Sequence, residues 1–213
     1  GFVENESVQQ IVRRVRGTKA AGYSDGLIEI DRRHAEAVVR TAVQHVAATA
    51  QDRMIEANLD LIKAVQWHAK LDLRTSPTCR VRDGLLYTPD THKPIGHKVP
   101  WLSGPGRSHW NCRSLAVQML KSFEEVTGIA GVGEIPVGAR ASMDGALPAD
   151  LTYGQWLQKQ SAARQDEVVG PTRGALMREG KLPFDELYSR RGEMLTLDQL
   201  RERNGAAFKR AGV

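Results

Sequence analysis

Val65-Gln-Trp-His-Ala-Lys-Leu-Asp-Leu73 alternates apolar and polar residues one for one. That puts Val65, Trp67, Ala69, Leu71 and Leu73 on one face of an extended chain and predicts a half-buried strand. Upstream the period is near 3.6. Asp31 is placed to cap a helix in which Val39, Val43, Val46, Ala50 and Met54 recur at spacings of three and four, and this helix is expected to stop near Asn58. Its other side carries Arg33, Arg40, His45, Gln51 and Arg53, a polar face open to solvent or a partner. A shorter amphipathic helix comes first, with Val8, Ile11, Val12 and Val15 sharing a face before Gly17 ends it.

Downstream of the strand, Asp83-Gly84 is a hairpin signal, with Leu85 to Tyr87 as the return strand. Residues 88 to 108 hold Pro89, Pro94, Pro100 and Pro105 and form a long excursion with at most one further short strand, near His97 to Leu102. A loop of that length in a compact domain is often functional. Trp67, Leu73 and Leu86 are expected to pack this unit on the long helix. Gly128 to Pro148 is rich in glycine and small residues and reads as a mobile linker. Thr152-x-x-Gln155 and Thr196-x-x-Gln199 each match a capping box. Gly170-Pro171 breaks the helical stretch between them and Gly180 ends it. The predicted class is α+β, mainly helical, with a small antiparallel β-sheet and a C-terminal helical arm. The expected divisions are 1–127, a Gly-rich linker at 128–150, and 151–213.

The chain has 213 residues, enough for a substantial core, and its 41% hydrophobic and 26% charged residues place it with globular rather than disordered proteins. An excess of five positive charges favours contact with nucleic acid or an acidic protein surface. No apolar run approaches the roughly 20 residues that cross a bilayer, and Gly1-Phe-Val-Glu-Asn-Glu does not resemble a secretion signal, so a soluble protein with no membrane partner is expected. Two cysteines do not make a disulfide scaffold, and a cytosolic setting keeps them as thiols.

Both cysteines fall in the segment that carries most of the chemistry. Cys79, His109 and Cys112 can offer two thiolates and an imidazole to zinc, with His92, His97 or water as the fourth ligand. The alternative is a pair of neighbouring buried thiols, or a disulfide after oxidation. No cofactor is expected, zinc being the one for which donors are visible. Asp72, Arg74, Thr75, Cys79, Cys112 and Arg113 read as a structural latch, because pairing of the two Cys segments would carry the Arg113 guanidinium to the Asp72 strand end. Arg13-Arg14-x-Arg16 and Arg32-Arg33 are candidate phosphate contacts, with Arg190-Arg191 a further basic cluster; none has aromatic residues interleaved for base stacking. Trp110 and Trp156 are expected as packing anchors. No Gly-rich phosphate loop or nucleophilic triad is present.

The ordered series Trp67, Leu71-Asp72, Arg74-Thr75, Cys79, Asp83-Gly84, Pro100 and His109-x-x-Cys112-Arg113 resembles the signature of phage Mu protein F-like proteins, the minor head or head-morphogenesis proteins of tailed phages. Tyr153-Gly-Gln-Trp156, Gln165-Asp-Glu167, Pro171-Thr-Arg-Gly174, Arg178 and Leu195-Thr-Leu-Asp198 extend the likeness, so that it spans roughly residues 30 to 200. The chain departs from the family pattern at Ser76 and Ser114, where many members carry thiols. The resemblance implies a structural, non-enzymatic capsid component. Its partners would be the portal or major capsid protein and phage DNA, and it would sit in multiple copies in the head interior or at the portal vertex after assembly in the host cytoplasm. The alternatives are a nuclease, transferase-type enzyme or toxin using His109 and Arg113, or a non-specific DNA-binding module.

Overall fold

The alternating stretch does form a strand, displaced toward the N-terminus: β1 covers Ile62–His68. It lies inside a four-stranded antiparallel sheet of order β3-β2-β1-β4, with β2 at Leu86–Tyr87, β3 at Pro94–Ile95 and β4 at Leu115–Leu120. The computed structural model describes residues 5–28, 31–129 and 138–213. Val65 pairs with Tyr87 on one side and with Gln118 on the other. Burial alternates through Val65, Trp67, Ala69 and Leu71 as expected, but the ladder ends at His68, opposite the first residue of β4, and the next N–H, of Ala69, goes to the Asp83 carboxylate. The chain then runs through a one-turn helix α3 (Pro77–Arg80) before Gly84, at φ 83°, closes a turn into β2. The connection is therefore a long one, and Asp83-Gly84 is only its final corner. β3 sits at Pro94–Ile95 rather than near 97–102, and β4 carried no clear signal because Leu115 and Leu120, at its two ends, are exposed.

The first helices are as read: α1 spans Val8–Arg16, and α2 spans Arg32–Glu56 with the Asp31 side chain accepting the His34 N–H. The core face of α2 differs from the expected stripe. Ala35 and Val39, with Val43, pack on Val12 and Val15 of α1. Beyond the end of α1 the buried residues are Ala48 and Ile55, and Ile55 joins Val65 and Trp67 under the sheet. At about 100° per residue these two sets lie on roughly opposite sides of the helix. The stripe Val46, Ala50, Met54 prolongs the α1-facing side past the point where α1 exists, and is exposed. Gln51, expected on a free polar face, instead donates to the Ala116 carbonyl of β4.

The Pro-rich excursion is anchored by aromatic rings. Trp101 is buried, edge-on to Trp67 at 5.3 Å and to Tyr87 at 4.8 Å, and His92 stacks on it at 4.5 Å. Arg82 Nε holds the Pro100 carbonyl at 2.9 Å.

The stretch read as a linker contains a hairpin, β5 (Ala139–Ser142) and β6 (Gly145–Pro148), while residues 130–137 lie outside the described ones. The C-terminal helices are α5 (Tyr153–Gln158), α6 (Ala162–Val169), α7 (Pro171–Arg178) and α8 (Leu197–Ala211), following α4 (Phe123–Thr127). Both predicted capping boxes form, at Thr152 with Gln155 and at Thr196 with Gln199. Instead of an arm without a core, these helices enclose Tyr153, Trp156, Leu157, Leu176, Leu187 and Leu200, and Leu71 enters the same cluster. Leu73 packs here as well, not on the long helix, and Leu85 rather than Leu86 joins the cluster beneath the sheet.

Candidate functional site

Ser76-Pro-Thr-Cys79 is a compact helix start. The Ser76 hydroxyl accepts the Cys79 N–H and Pro77 supplies a preset φ at the first position. Across from it, Asn111 adopts φ 54° and its N–H bonds the Thr41 hydroxyl of α2 at 3.0 Å, so the 109–113 turn is fixed to the long helix. The two segments meet. Cys79 Sγ lies 3.7 Å from Cys112 Sγ and 3.1 Å from His109 Nε2, and Ser76 Oγ lies 2.8 Å from the same ring nitrogen. Both cysteines are free thiols, since a disulfide would need about 2.05 Å between the sulfurs.

His109 Nδ1 donates to the Trp110 carbonyl at 2.9 Å, which turns Nε2 toward the sulfurs. The Gly106 N–H donates to Cys112 Sγ at 3.2 Å. Gly106 stands at φ 79° against Gln44 and Ala48 of α2, so a side chain at this position would be strained as well as crowded. The Cys112 thiol is pushed well down by the hydrogen bond from Cys79, against the cost of burial, with His109 helping. Cys79 moves the opposite way through the same hydrogen bond and burial. His109 is raised by its bond to Cys112, which outweighs burial. The contact between the two sulfurs thus favours ionisation at Cys112 over Cys79.

Asp72 closes the next layer. Both Arg113 terminal nitrogens reach its carboxylate, one of them at 2.9 Å from Oδ1. The Thr75 hydroxyl and the Arg74 backbone N–H, each at 3.1 Å, complete the set of donors to it, and the Arg74 side chain is exposed. Burial pushes the Asp72 carboxyl up, but the Arg113 hydrogen bond and charge, with Thr75 and Arg74, outweigh it and hold it below its usual value. Because the folded-state value is the lower one, the pair stabilises the fold above the ordinary carboxylate range, and this contribution disappears as pH falls through the depressed value. The Arg113 side chain is 36% exposed, so solvent screens the pair. We expect Arg113→Gln to cost about 1–2 kcal/mol near neutral pH. In urea titrations the gap between wild type and variant narrows below about pH 4; a gap of constant size from pH 6 to 3 would remove Asp72 as its source.

A second buried pair joins Asp83 to a residue outside the motifs of the sequence. Arg140, from the stretch read as a linker, donates to Asp83 at 2.8 and 3.0 Å, and the Arg140 and Asp83 side chains are 6% and 0% exposed. Asp83 also accepts the N–H groups of Ala69 at 2.7 Å and Tyr153 at 2.6 Å. The Tyr153 hydroxyl returns to the Asp72 carbonyl at 2.9 Å, and Arg80 reaches the Val168 carbonyl at 2.7 Å. The end of β1, the β5 strand and the start of α5 are tied through one carboxylate. Asp83 drew attention only as a turn residue, and no local spacing links it to a residue 57 positions away.

The donor set can be tested against zinc. A tetrahedral site with Zn–S near 2.3 Å sets its sulfurs about 3.8 Å apart, and the 3.7 Å found here fits that edge. Among the described residues the ligand group is Cys79, His109 and Cys112 alone. His97 bonds the Leu86 carbonyl and His92 stacks on Trp101, so neither is the fourth ligand. A cavity of about 20 Å³ beside the cluster is lined by Ser76, Cys79, His109 and Ser114, room for about one water. The residues present therefore fit a three-ligand site with a water-sized opening, and Ser76 and Ser114 occupy the places where further sulfurs would converge.

Of the basic clusters, Arg13, Arg16 and Arg32 line one groove between α1 and α2, joined by Lys19 and Arg40. Arg14 pairs with Glu6 at 3.0 Å, Arg33 is exposed outside that lining, and Arg190 and Arg191 sit exposed in a distant turn. Trp156 is buried as an anchor, whereas Trp110 is 68% exposed.

Residues 3–117 match the family model described as Phage Mu protein F like protein. The match takes in α1, α2, the Cys79–His109–Cys112 cluster and the Asp72–Arg113 pair, and ends within β4; the C-terminal motifs lie beyond it. No curated protein and no solved structure matches the chain.

Proposed function

Since the chain belongs to the phage Mu protein F-like family of phage head-morphogenesis proteins, we propose that it is a structural component of the head which docks on the portal or the inner capsid surface through the outer face of α2 and the neighbouring end of β4. The observation that carries this reading is the closure of the polar centre. Its convergent groups are bonded to one another, and the cavity beside them holds about one water, not a substrate. This supports a reading of binding over turnover, with surfaces as the working parts.

Among those surfaces, Val46 and Met54 on α2 and Leu115 at the start of β4 are exposed apolar residues. A groove of about 370 Å³, lined by Ala47, Ala50, Gln51, Met54, Pro105 and Leu115 among others, runs between Met54 and Leu115. Such faces suit protein partners. The clamp of Cys79, His109, Cys112, Asp72 and Arg113 keeps the turn after Pro105 and the start of β4 rigid beneath that face. Zinc, when bound, would be held by Cys79, His109 and Cys112 and would supply a further cross-link between α3 and the 109–113 turn. In this reading the chain is present in several copies in the virion, at the portal vertex or head interior, and passes through the host cytoplasm during assembly. No helix of the described residues is long and apolar enough to cross a membrane.

Co-expression with the portal and major capsid proteins of the same phage tests the proposal. The expected result is co-elution with one of them on size exclusion, lost when Met54→Asp and Leu115→Asp are combined while the melting temperature is kept. Turnover of RNA, DNA or a dinucleotide by the purified chain, abolished by His109→Ala, would overturn it in favour of an enzyme.

A further inference from the structure

We infer that the groove between α1 and α2 is a preformed binding site for the phosphate backbone of double-stranded DNA. The groove has a volume of about 620 Å³. Gln9, Arg13 and Arg16 follow one face of α1 at i, i+4 and i+7, and Arg32, Glu36 and Arg40 follow one face of α2 at i, i+4 and i+8. Lys19 closes one end. The lining holds five cations against the single carboxylate of Glu36, whereas the entire chain has an excess of only five. Most of the protein's net charge is therefore concentrated in one concave strip, which is where a polyanion gains most from counterion release.

Two of the cations, Arg16 and Arg32, are held by neighbouring side chains. Arg32 Nε is paired with Glu36 at 2.9 Å. Among the described residues, no carboxylate lies within ion-pair distance of Arg13, Arg16, Lys19 or Arg40. Asp25, in the adjoining loop, is occupied by the Thr18 N–H at 2.7 Å and the Thr18 hydroxyl at 2.8 Å. The Arg16 guanidinium lies 3.8 Å above the Tyr23 ring, which fixes its position and covers the aromatic face that a base would need. The loop forming this wall is pinned to α1, Leu27 N–H to the Arg14 carbonyl and Ile28 N–H to that of Val15. From Gln9 to Arg16 the wall is about 10 Å long at 1.5 Å per residue, on the order of three phosphates of one strand. Guanidinium groups in two rows match phosphate oxygens with bidentate geometry and without reading sequence.

The inference rests on the head-component reading only for the source of the polyanion, and its test is separate. Anisotropy of a labelled 30-base-pair duplex, titrated with the whole chain from 50 to 200 mM salt, is expected to give a log–log slope of about −3 to −4. Combining Arg13→Gln, Arg16→Gln and Arg40→Gln should lower its magnitude by about three, roughly one per lost contact. Arg190→Gln with Arg191→Gln should leave slope and affinity unchanged. The side chains altered in the triple variant lie outside the α1–α2 core, and Lys19→Gln with Arg40→Gln, expected to remove about two, repeats the test without touching α1. An unchanged slope in the groove variants, equal loss in the Arg190/Arg191 variant, or no binding at 50 mM salt would overturn the inference. So would preferential sedimentation with phosphatidylglycerol vesicles, the competitor suggested by the exposed Leu27 and Ile28. A chain that co-elutes with the portal yet ignores the duplex loses this inference and keeps its proposed function.

Discussion

Arg140→Met is expected to destabilise the protein by about 3–5 kcal/mol, because it leaves the Asp83 carboxylate charged and buried with only backbone donors. Asp83 is fully enclosed, and Arg140 supplies two of its contacts while also holding the Leu151 and Ala69 carbonyls. In a chain of this size the loss corresponds to a fall in melting temperature on the order of 10 °C. Asp83→Asn with Arg140→Met removes both charges and should recover part of the loss, since the penalty arises from the unpaired ion more than from the missing bond. Thermal unfolding followed by circular dichroism measures both. A single variant within 1 °C of wild type would mean that the hairpin does not close on the sheet as described.

The second large effect concerns Ser76 and Ser114. If these positions converge with Cys79 and Cys112 as the cavity lining indicates, then Ser76→Cys combined with Ser114→Cys makes a tetrathiolate centre. Structural zinc in such sites contributes about 10–16 kcal/mol of binding energy near neutral pH, which becomes folding energy. The double variant purified with zinc should contain one ion per chain by elemental analysis, and its melting temperature should drop when a chelator is added. The wild-type chain, limited to two thiols and one imidazole, should release its zinc to the same chelator without unfolding. A double variant that takes up no zinc would show that the four positions do not meet.

Much of the architecture was legible because it rests on local rules. The caps at Asp31, Thr152 and Thr196, the alternation from Val65 to Leu71 and the break at Gly170-Pro171 depend on neighbours within a few residues. What failed to show was decided at long range. α2 was read with one core face, yet it has two, because α1 stops half way along it and the sheet takes over from the opposite side. The hairpin of Ala139–Ser142 and Gly145–Pro148 looked like a linker, since its small residues suit a flexible chain equally well. Arg140 then became invisible as the partner of Asp83. At the site, the approach of Cys79, Cys112, Asp72 and Arg113 could be read from the paired motifs, because adjacent residues carry both contacts. The exposure of Trp110 could not, as tryptophan is a core residue more often than a surface one.

In the function we propose, a rigid, internally satisfied polar clamp supports a surface used for assembly into the phage head. Quantitative mass spectrometry of gradient-purified heads tests this most directly. The predicted result is peptides of this chain at a fixed ratio to the portal, with the signal lost from heads assembled with the Met54→Asp, Leu115→Asp chain. Heads free of the protein, with all of it left in the unassembled fraction of the lysate, would contradict the account.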